Sequence, residues 1–291
     1  MYYLIYIPLY LLSLLPFRVL YFLSDAVYGF LYYIMKYRRE VTMDNLRIAF
    51  PEKTEKERIR IAKQFYHNFV DNFIETLKFI SLSTREFEKR IELDTTALEQ
   101  AYPSGKSLQC FGMHNFSWEF ANWAMARHSK YPVLVIYMPV RNKHIDKIIK
   151  DMRSRFGSVM IPATNFRRQF IIWSKKKHLM GSVADQSPGN PESAWWFNFF
   201  GKPTPFVTGP EKGARMNDMC VIFVNFYRVK RGHYKIDMEF ITDDAPSYPE
   251  KELTRQYVRF MEKSLRAHPD NYLWSHRRWK HAYKPEYGEV L

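Results

Sequence analysis

Cysteine is nearly absent from this chain: two occur in 291 residues, Cys110 and Cys220, each inside an apolar stretch. They cannot make a disulfide framework and read as buried, reduced thiols, which suits a reducing compartment. There is no Cys-x-x-Cys pair, no zinc-type spacing and no His-Glu-x-x-His, so no metal site is expected. Acidic residues are also short: 30 Asp and Glu stand against 44 Lys and Arg, a net charge of +14. That surplus suits nucleic acid, anionic lipid or an acidic carrier protein as partner, or a generally basic surface kept for solubility. Finger spacing, an aromatic RNP element and a basic zipper are all missing, which sets nucleic acid aside. Internal repeats and low-complexity linkers are missing as well.

No apolar run is long enough for an uninterrupted membrane span. Tyr2 to Phe17 is almost wholly apolar, and a second run goes from Val19 to Met35. As a helix the first would cover about 24 Å at a rise of about 1.5 Å per residue, short of a hydrocarbon core of roughly 30 Å. Pro8, Pro16, Arg18 and Asp25 interrupt the pair. One tilted span or two interfacial helices remain, and the many tyrosines here suit either. The alternative is an amphipathic helical pair packed on a soluble domain. A cleaved signal peptide does not fit, since no basic residue precedes the run and no small-residue cleavage pattern follows it. Lys36, Arg38 and Arg39 come next, which predicts a cytoplasmic bulk by the positive-inside bias. The expected division is a membrane anchor over 1–35 and one domain over 36–291.

Residues 40–90 read as helical, broken at Pro51, with a capping box at Thr54-Glu55-Lys56-Glu57 and a second start at Ser83-Thr84-Arg85-Glu86. After Pro103-Ser104-Gly105, short apolar runs alternate with amphipathic stretches. Expected strands are Ser107–Gly112, Val133–Tyr137, Leu179–Ala184, Met219–Tyr227 and Tyr234–Phe240. Expected helices are Ser117–Arg127, Lys143–Arg155, Phe166–Lys176, Pro210–Met216 and Lys251–Ala267. This alternation predicts an α/β fold with a mostly parallel central sheet flanked by helices, where function gathers at the strand ends.

His114 falls at such an end, in Gly112-Met113-His114-Asn115-Phe116-Ser117-Trp118-Glu119. The histidine lies in the turn and Glu119 in the first turns of the next helix, so the carboxylate can reach back to the imidazole. A carboxylate on one ring nitrogen fixes the tautomer and frees the other as a general base toward a hydroxyl. A capping or core histidine is the competing reading of this spacing. Asp185 closes the strand from Leu179 and belongs at the same sheet edge. Gln186-Ser187-Pro188-Gly189 follows as a loop over it.

With these elements in order, the sequence resembles the bacterial lipid A biosynthesis acyltransferases, within the wider group of His-x4-Asp/Glu acyltransferases. The resemblance runs over nearly the whole chain. It is carried by Asn45-Leu46…Phe50-Pro51, Gly112-Met113-His114…Glu119, Arg153-Ser154-Arg155-Phe156-Gly157, Ala184-Asp185-Gln186, Phe197–Gly201 with Thr204 and Thr208, and Tyr272–Lys280. It implies a glycerolipid-acyltransferase-like fold with His114 and Glu119 as catalytic dyad and Asp185 as an active-site acid. Arg153 or Arg155 would bind substrate, with Gln186 beside them. Met138 stands where the family's Tyr-Arg-Pro order would put an arginine, and Arg141 can replace it.

The implied reaction moves a fatty acyl chain from an acyl thioester, expected to be acyl-acyl carrier protein, to a hydroxyl of a Kdo-lipid A precursor. The thioester is a co-substrate and no cofactor is expected. The implied place is the cytoplasmic face of the inner membrane. The cations at Arg141, Lys143, Lys147, Lys150, Arg153 and Arg155, and those at Arg167, Arg168 and Lys175–Lys177, suit an anionic glycolipid or carrier protein. Trp195, Trp196, Phe197, Phe199 and Phe200 could line an acyl channel, touch the bilayer or pack as core. Other readings are transfer to another membrane lipid, or a non-catalytic membrane scaffold or anionic-polymer binder. A glycerophosphate acyltransferase lacks support, because its Glu-Gly-Thr-Arg element has no counterpart here.

Overall fold

The computed structural model describes residues 1–291. Two apolar helices open the chain, α1 (Tyr2–Leu14) and α2 (Phe17–Gly29), the second prolonged by a π-helical turn to Ile34. Pro16 breaks them apart, and they are bent by 110° to one another; no single helix is long and apolar enough to cross a membrane. Helices α3 (Arg39–Ala49), α4 (Glu55–Lys78) and α5 (Thr84–Glu88) follow. The capping box at α4 is formed as expected: the Thr54 side chain accepts from the Glu57 amide, and the Glu57 carboxylate accepts from the Thr54 amide.

The α/β part begins with β1 (Ile91–Leu93), α6 (Thr96–Ala101) and β2 (Leu108–Gly112). It continues through α7 (Trp118–His128), β3 (Val133–Tyr137), α8 (Lys143–Arg153), β4 (Val159–Pro162), α9 (Phe166–Ser174) and β5 (Leu179–Val183). A two-stranded hairpin, β6 (Trp195–Phe199) and β7 (Lys202–Phe206), stands apart from the main sheet. Then come α10 (Gly209–Met216), β8 (Cys220–Lys230), β9 (His233–Thr242) and α11 (Glu252–Ala267).

Seven strands form one sheet in the order β1-β9-β8-β2-β5-β3-β4. Every neighbouring pair is parallel except β8 with β9. A parallel sheet must be covered on both faces, and alternate residues of each strand serve one cover each. Phe111, Leu134, Met180 and Phe223 meet the side that carries α3, α4 and α11. Cys110, Val133, Leu179 and Val224 meet α7 through Phe120, Trp123 and Ala124. The mixed α/β architecture with a mostly parallel, helix-flanked sheet is therefore as expected. β1, β4 and the β6–β7 hairpin are additions to it.

The amino-terminal helices are tied to the domain by polar contacts. The Lys78 ammonium donates to the Ser13 and Leu15 carbonyls, at 2.7 and 3.0 Å, just where α1 ends. Ser24 donates to the buried Asp71 at 2.7 Å, and Arg231 bridges Asp71 and Asp25. Glu75 of α4, fully buried, accepts from Tyr21 at 2.8 Å and Tyr234 at 2.6 Å. Burial, against those two hydrogen bonds, pushes its carboxyl up to about 7.

Candidate active site

Strand β2 ends at Gly112, and the chain turns through Met113–Ser117 before α7 begins. The turn is held from below. The Asn115 amide group donates to Asn225 Oδ1 and the Phe226 carbonyl, at 3.0 and 2.9 Å, and the Phe116 N–H donates to the Asn271 carbonyl. Tyr257 of α11 donates to the Gly112 carbonyl at 2.5 Å. His114 projects from this fixed turn with its side chain 29% exposed, while Asp185, its partner from the end of β5, is buried.

The His114 Nδ1 to Asp185 Oδ1 distance is 2.7 Å. The two residues are 71 apart in sequence, but β2 and β5 are adjacent parallel strands, so both chain ends emerge at one sheet edge. Burial lowers the His114 proton affinity, and the Asp185 charge and hydrogen bond outweigh it, so the net direction is upward. Burial raises Asp185 in turn, and His114 with the local N–H groups carries it below the usual carboxylate range. Such a pair fixes Nδ1 as the bonded nitrogen and leaves Nε2 free.

Glu119 does not bond the imidazole, although its place just after the His114 turn would let it reach back. Its buried carboxylate takes Arg153 Nε at 2.9 Å and Nη2 at 2.6 Å, with the Trp118 indole N–H at 3.1 Å. The physical reason lies in the helix: Glu119 sits in the first turn of α7, whose neighbour across the packing interface is the end of α8, where Arg153 stands. The two candidate arginines lie in different surroundings. Arg153 lines the same cavity as His114, whereas Arg155 donates to the Leu82 carbonyl at 2.8 Å and lies over the Trp123 ring. Arg141 is exposed beyond β3, and Gln186 is half-buried; neither lines that cavity.

The cavity holds about 370 Å³ between α7 and the sheet. His114, Glu119, Arg153 and Tyr137 stand at the carboxy-terminal edge of the strands, and Met125, Val133 and Leu179 at the opposite edge. Its walls are mostly apolar, and burial pushes the Cys110 thiol up to about 12, so it lines the space as a neutral group. The aromatic run Trp195–Phe200 is absent from these walls. Phe197, Phe199 and Phe200 are buried in the core with residues of α11, and Trp196 is buried against Tyr283 and Tyr287, so these four pack as core rather than line the cavity.

The carboxy-terminal run underlies the dyad. Tyr272 donates to the Asp185 carbonyl at 3.4 Å, and the Ser187 N–H donates to His276 Nε2 at 3.2 Å. Burial holds the His276 imidazole down at about 4, so it accepts as a neutral ring. Arg278, fully buried, lies 4.3 Å from the Phe206 ring centroid. Asn45 of α3 donates to the Trp274 and His276 carbonyls, both at 2.7 Å, which ties the early motif to the late one. The sequence marks both motifs without indicating that one holds the other.

Residues 1–281 match the family model of the bacterial lipid A biosynthesis acyltransferase. The chain is similar to the lipid A biosynthesis palmitoleoyltransferase of Escherichia coli K12, 24% identical over 269 residues, covering 91% of this chain and 86% of that one. It is similar to the lauroyltransferase of the same strain, 23% identical over 275 residues, with 94% and 89% covered. A lipid A biosynthesis acyltransferase of Haemophilus influenzae is 23% identical over 268 residues, with 91% and 82% covered. A match over almost the full length, on a chain whose histidine, carboxylates and apolar cavity share one sheet edge, leads to one conclusion: this chain belongs to the bacterial lipid A biosynthesis acyltransferase family, and it is an acyltransferase.

Proposed function

We propose that the protein transfers a fatty acyl chain from an acyl thioester, delivered as acyl-acyl carrier protein, to a hydroxyl of a Kdo-lipid A precursor. The observation that carries this reading is the 2.7 Å His114–Asp185 pair beside an apolar cavity of acyl-chain character. His114 Nε2 takes the proton from the acceptor hydroxyl as its oxygen attacks the thioester carbonyl. The C–O bond forms, the C–S bond breaks, and the proton passes from the imidazolium to the departing thiolate. Asp185 stabilises the imidazolium while it exists, and general-base catalysis of this kind contributes roughly 10²–10⁴-fold. Glu119 acts at one remove, fixing Arg153 as a positive charge beside the reacting groups. The remaining basic surface, Arg141 included, meets the carrier protein and the phosphorylated acceptor.

We also propose that residues 1–35 attach the enzyme to the cytoplasmic face of the inner membrane, lying in the interface as a docked hairpin. Most of the large exposed apolar side chains belong to this segment, Tyr3, Leu4, Ile7, Leu11, Phe22 and Ile34 among them.

The test is acyl transfer by the purified full-length protein with lauroyl- or palmitoleoyl-acyl carrier protein and a Kdo-lipid A precursor. Wild type is expected to transfer; His114→Ala and Asp185→Asn are expected to lose nearly all of it while keeping their thermal unfolding midpoint. Full activity in folded His114→Ala would overturn the mechanism. Transfer to a different membrane lipid and none to the Kdo-lipid A precursor would overturn the acceptor.

A further inference from the structure

Gly181 occupies the middle of β5, the strand between β2 and β3, with Cys110 and Val135 as its partners on either side. Both neighbours turn their side chains to the α7 face, where the cavity lies, so a side chain at 181 would do the same. The backbone does not call for glycine: φ at Gly181 is outside the left-handed region, and the register with β2 is regular along the strand. A Cβ built there would touch only the Leu134 carbonyl oxygen, at 3.7 Å, an ordinary contact. Glycine inside a central strand is unfavourable for the strand itself and commonly marks a place where a ligand approaches the backbone. The residues at Cys110, Val135 and Leu179 around it are all larger, so this position leaves bare backbone on the cavity wall between its polar mouth, where Gly112 also lies, and Met125 at the far end.

We infer that Gly181 sets the acyl-chain specificity of the enzyme, by leaving passage for the distal part of a long chain between α7 and β5. The inference rests on the acyl-transfer reading above. A chain that stops short of Gly181 is bounded by the walls near Tyr137 and Val183, whereas a longer chain must cross the strip of bare backbone to reach Met125, Val133 and Leu179. A side chain at 181 meets the second and not the first.

The experiment measures kcat/KM for decanoyl, lauroyl, myristoyl and palmitoyl carrier-protein donors with wild type, Gly181→Ala, Gly181→Val and Met125→Ala, each checked for its unfolding midpoint. The alanine variant adds one carbon in ordinary contact and is expected to fold. The ratio of shorter-chain to longer-chain transfer should rise stepwise from wild type through alanine to valine, by about tenfold or more per step, the scale on which an apolar pocket discriminates by methylene-sized changes. Met125→Ala should move the ratio the opposite way. A wild type that transfers no chain at all overturns the acyl-transfer reading itself. A wild type that transfers, with a chain-length ratio unmoved in folded Gly181→Ala, or lowered uniformly across all donors, overturns the inference alone.

Discussion

Arg153 grips the buried Glu119 carboxylate through two nitrogens, Nε at 2.9 Å and Nη2 at 2.6 Å from the same oxygen. Glu119 is thereby satisfied without the histidine five residues before it. Removing the arginine leaves a carboxylate buried and unpaired, and breaking such a pair costs about 3–5 kcal/mol. Arg153→Met should therefore destabilise the protein by that order, and Glu119→Gln combined with Arg153→Met should recover much of the loss. A double-mutant cycle in urea measures the coupling, and simple additivity of the two single changes would show that the pair is not coupled.

Asp185 and Glu119 should separate in their pH behaviour. A general base must be neutral, and Asp185 holds the His114 proton affinity above the ordinary 6.5. Activity should thus fall as pH drops through a value above 6.5. In Asp185→Asn the acid limb should move to lower pH, with the plateau reduced by roughly 10²–10⁴-fold. Glu119→Gln should leave the limb where it is. The profile of kcat/KM against pH distinguishes the two; an acid limb shifted only by Glu119→Gln would return Glu119 to the imidazole.

Glu75 offers a stability test remote from the chemistry. Its carboxyl is raised in the folded protein from an ordinary 4.5 to about 7. A raised folded value means that its contribution is fully present below about 4.5 and is lost as pH rises through about 7. Glu75→Gln does not titrate, so its stability relative to wild type should improve across that window, by on the order of 3 kcal/mol. Denaturant midpoints at the two ends of the window measure this, and a pH-independent difference would contradict it.

The amino-terminal hairpin should bind anionic vesicles through its exposed apolar face. Leu4, Ile7 and Leu11 lie on one side of α1 and are exposed. Replacing all three by serine should weaken flotation with phosphatidylglycerol-containing vesicles by well over tenfold, since a buried leucine or isoleucine side chain is worth about 1.5–3 kcal/mol. Flotation equal to wild type would direct attention to another surface.

The strands and helices with strong local signals were legible from their residues. α4 was marked by its capping box, and Val133–Tyr137 by an unbroken apolar run set between Pro132 and Pro139. β4 was not, because four residues ending in Pro162 carry too little pattern to register as a strand. The β6–β7 hairpin was hidden by Pro203 and Pro205 and by a turn in which Phe200 adopts positive φ ahead of Gly201, a conformation the residue type does not advertise. At the site, His114, Glu119 and Asp185 could each be named, and His114 and Asp185 assigned to one sheet edge. Their partnership could not, since a contact between residues 71 apart depends on which strands become neighbours. Glu119 drew the assignment because nearness in sequence is visible there and Arg153, 34 residues on, is not.

Lys78 fastens the corner between α1 and α2 through the Ser13 and Leu15 carbonyls, and Arg231, in the turn between β8 and β9, holds α2 through Asp25 and the Tyr21 carbonyl. With two separated fixings, the hairpin cannot swivel on a hinge. Were it laid on a bilayer, the mouth of the cavity would keep one altitude and one heading over the lipid, and the enzyme would meet its acceptor by drifting laterally, with no need to reach for it.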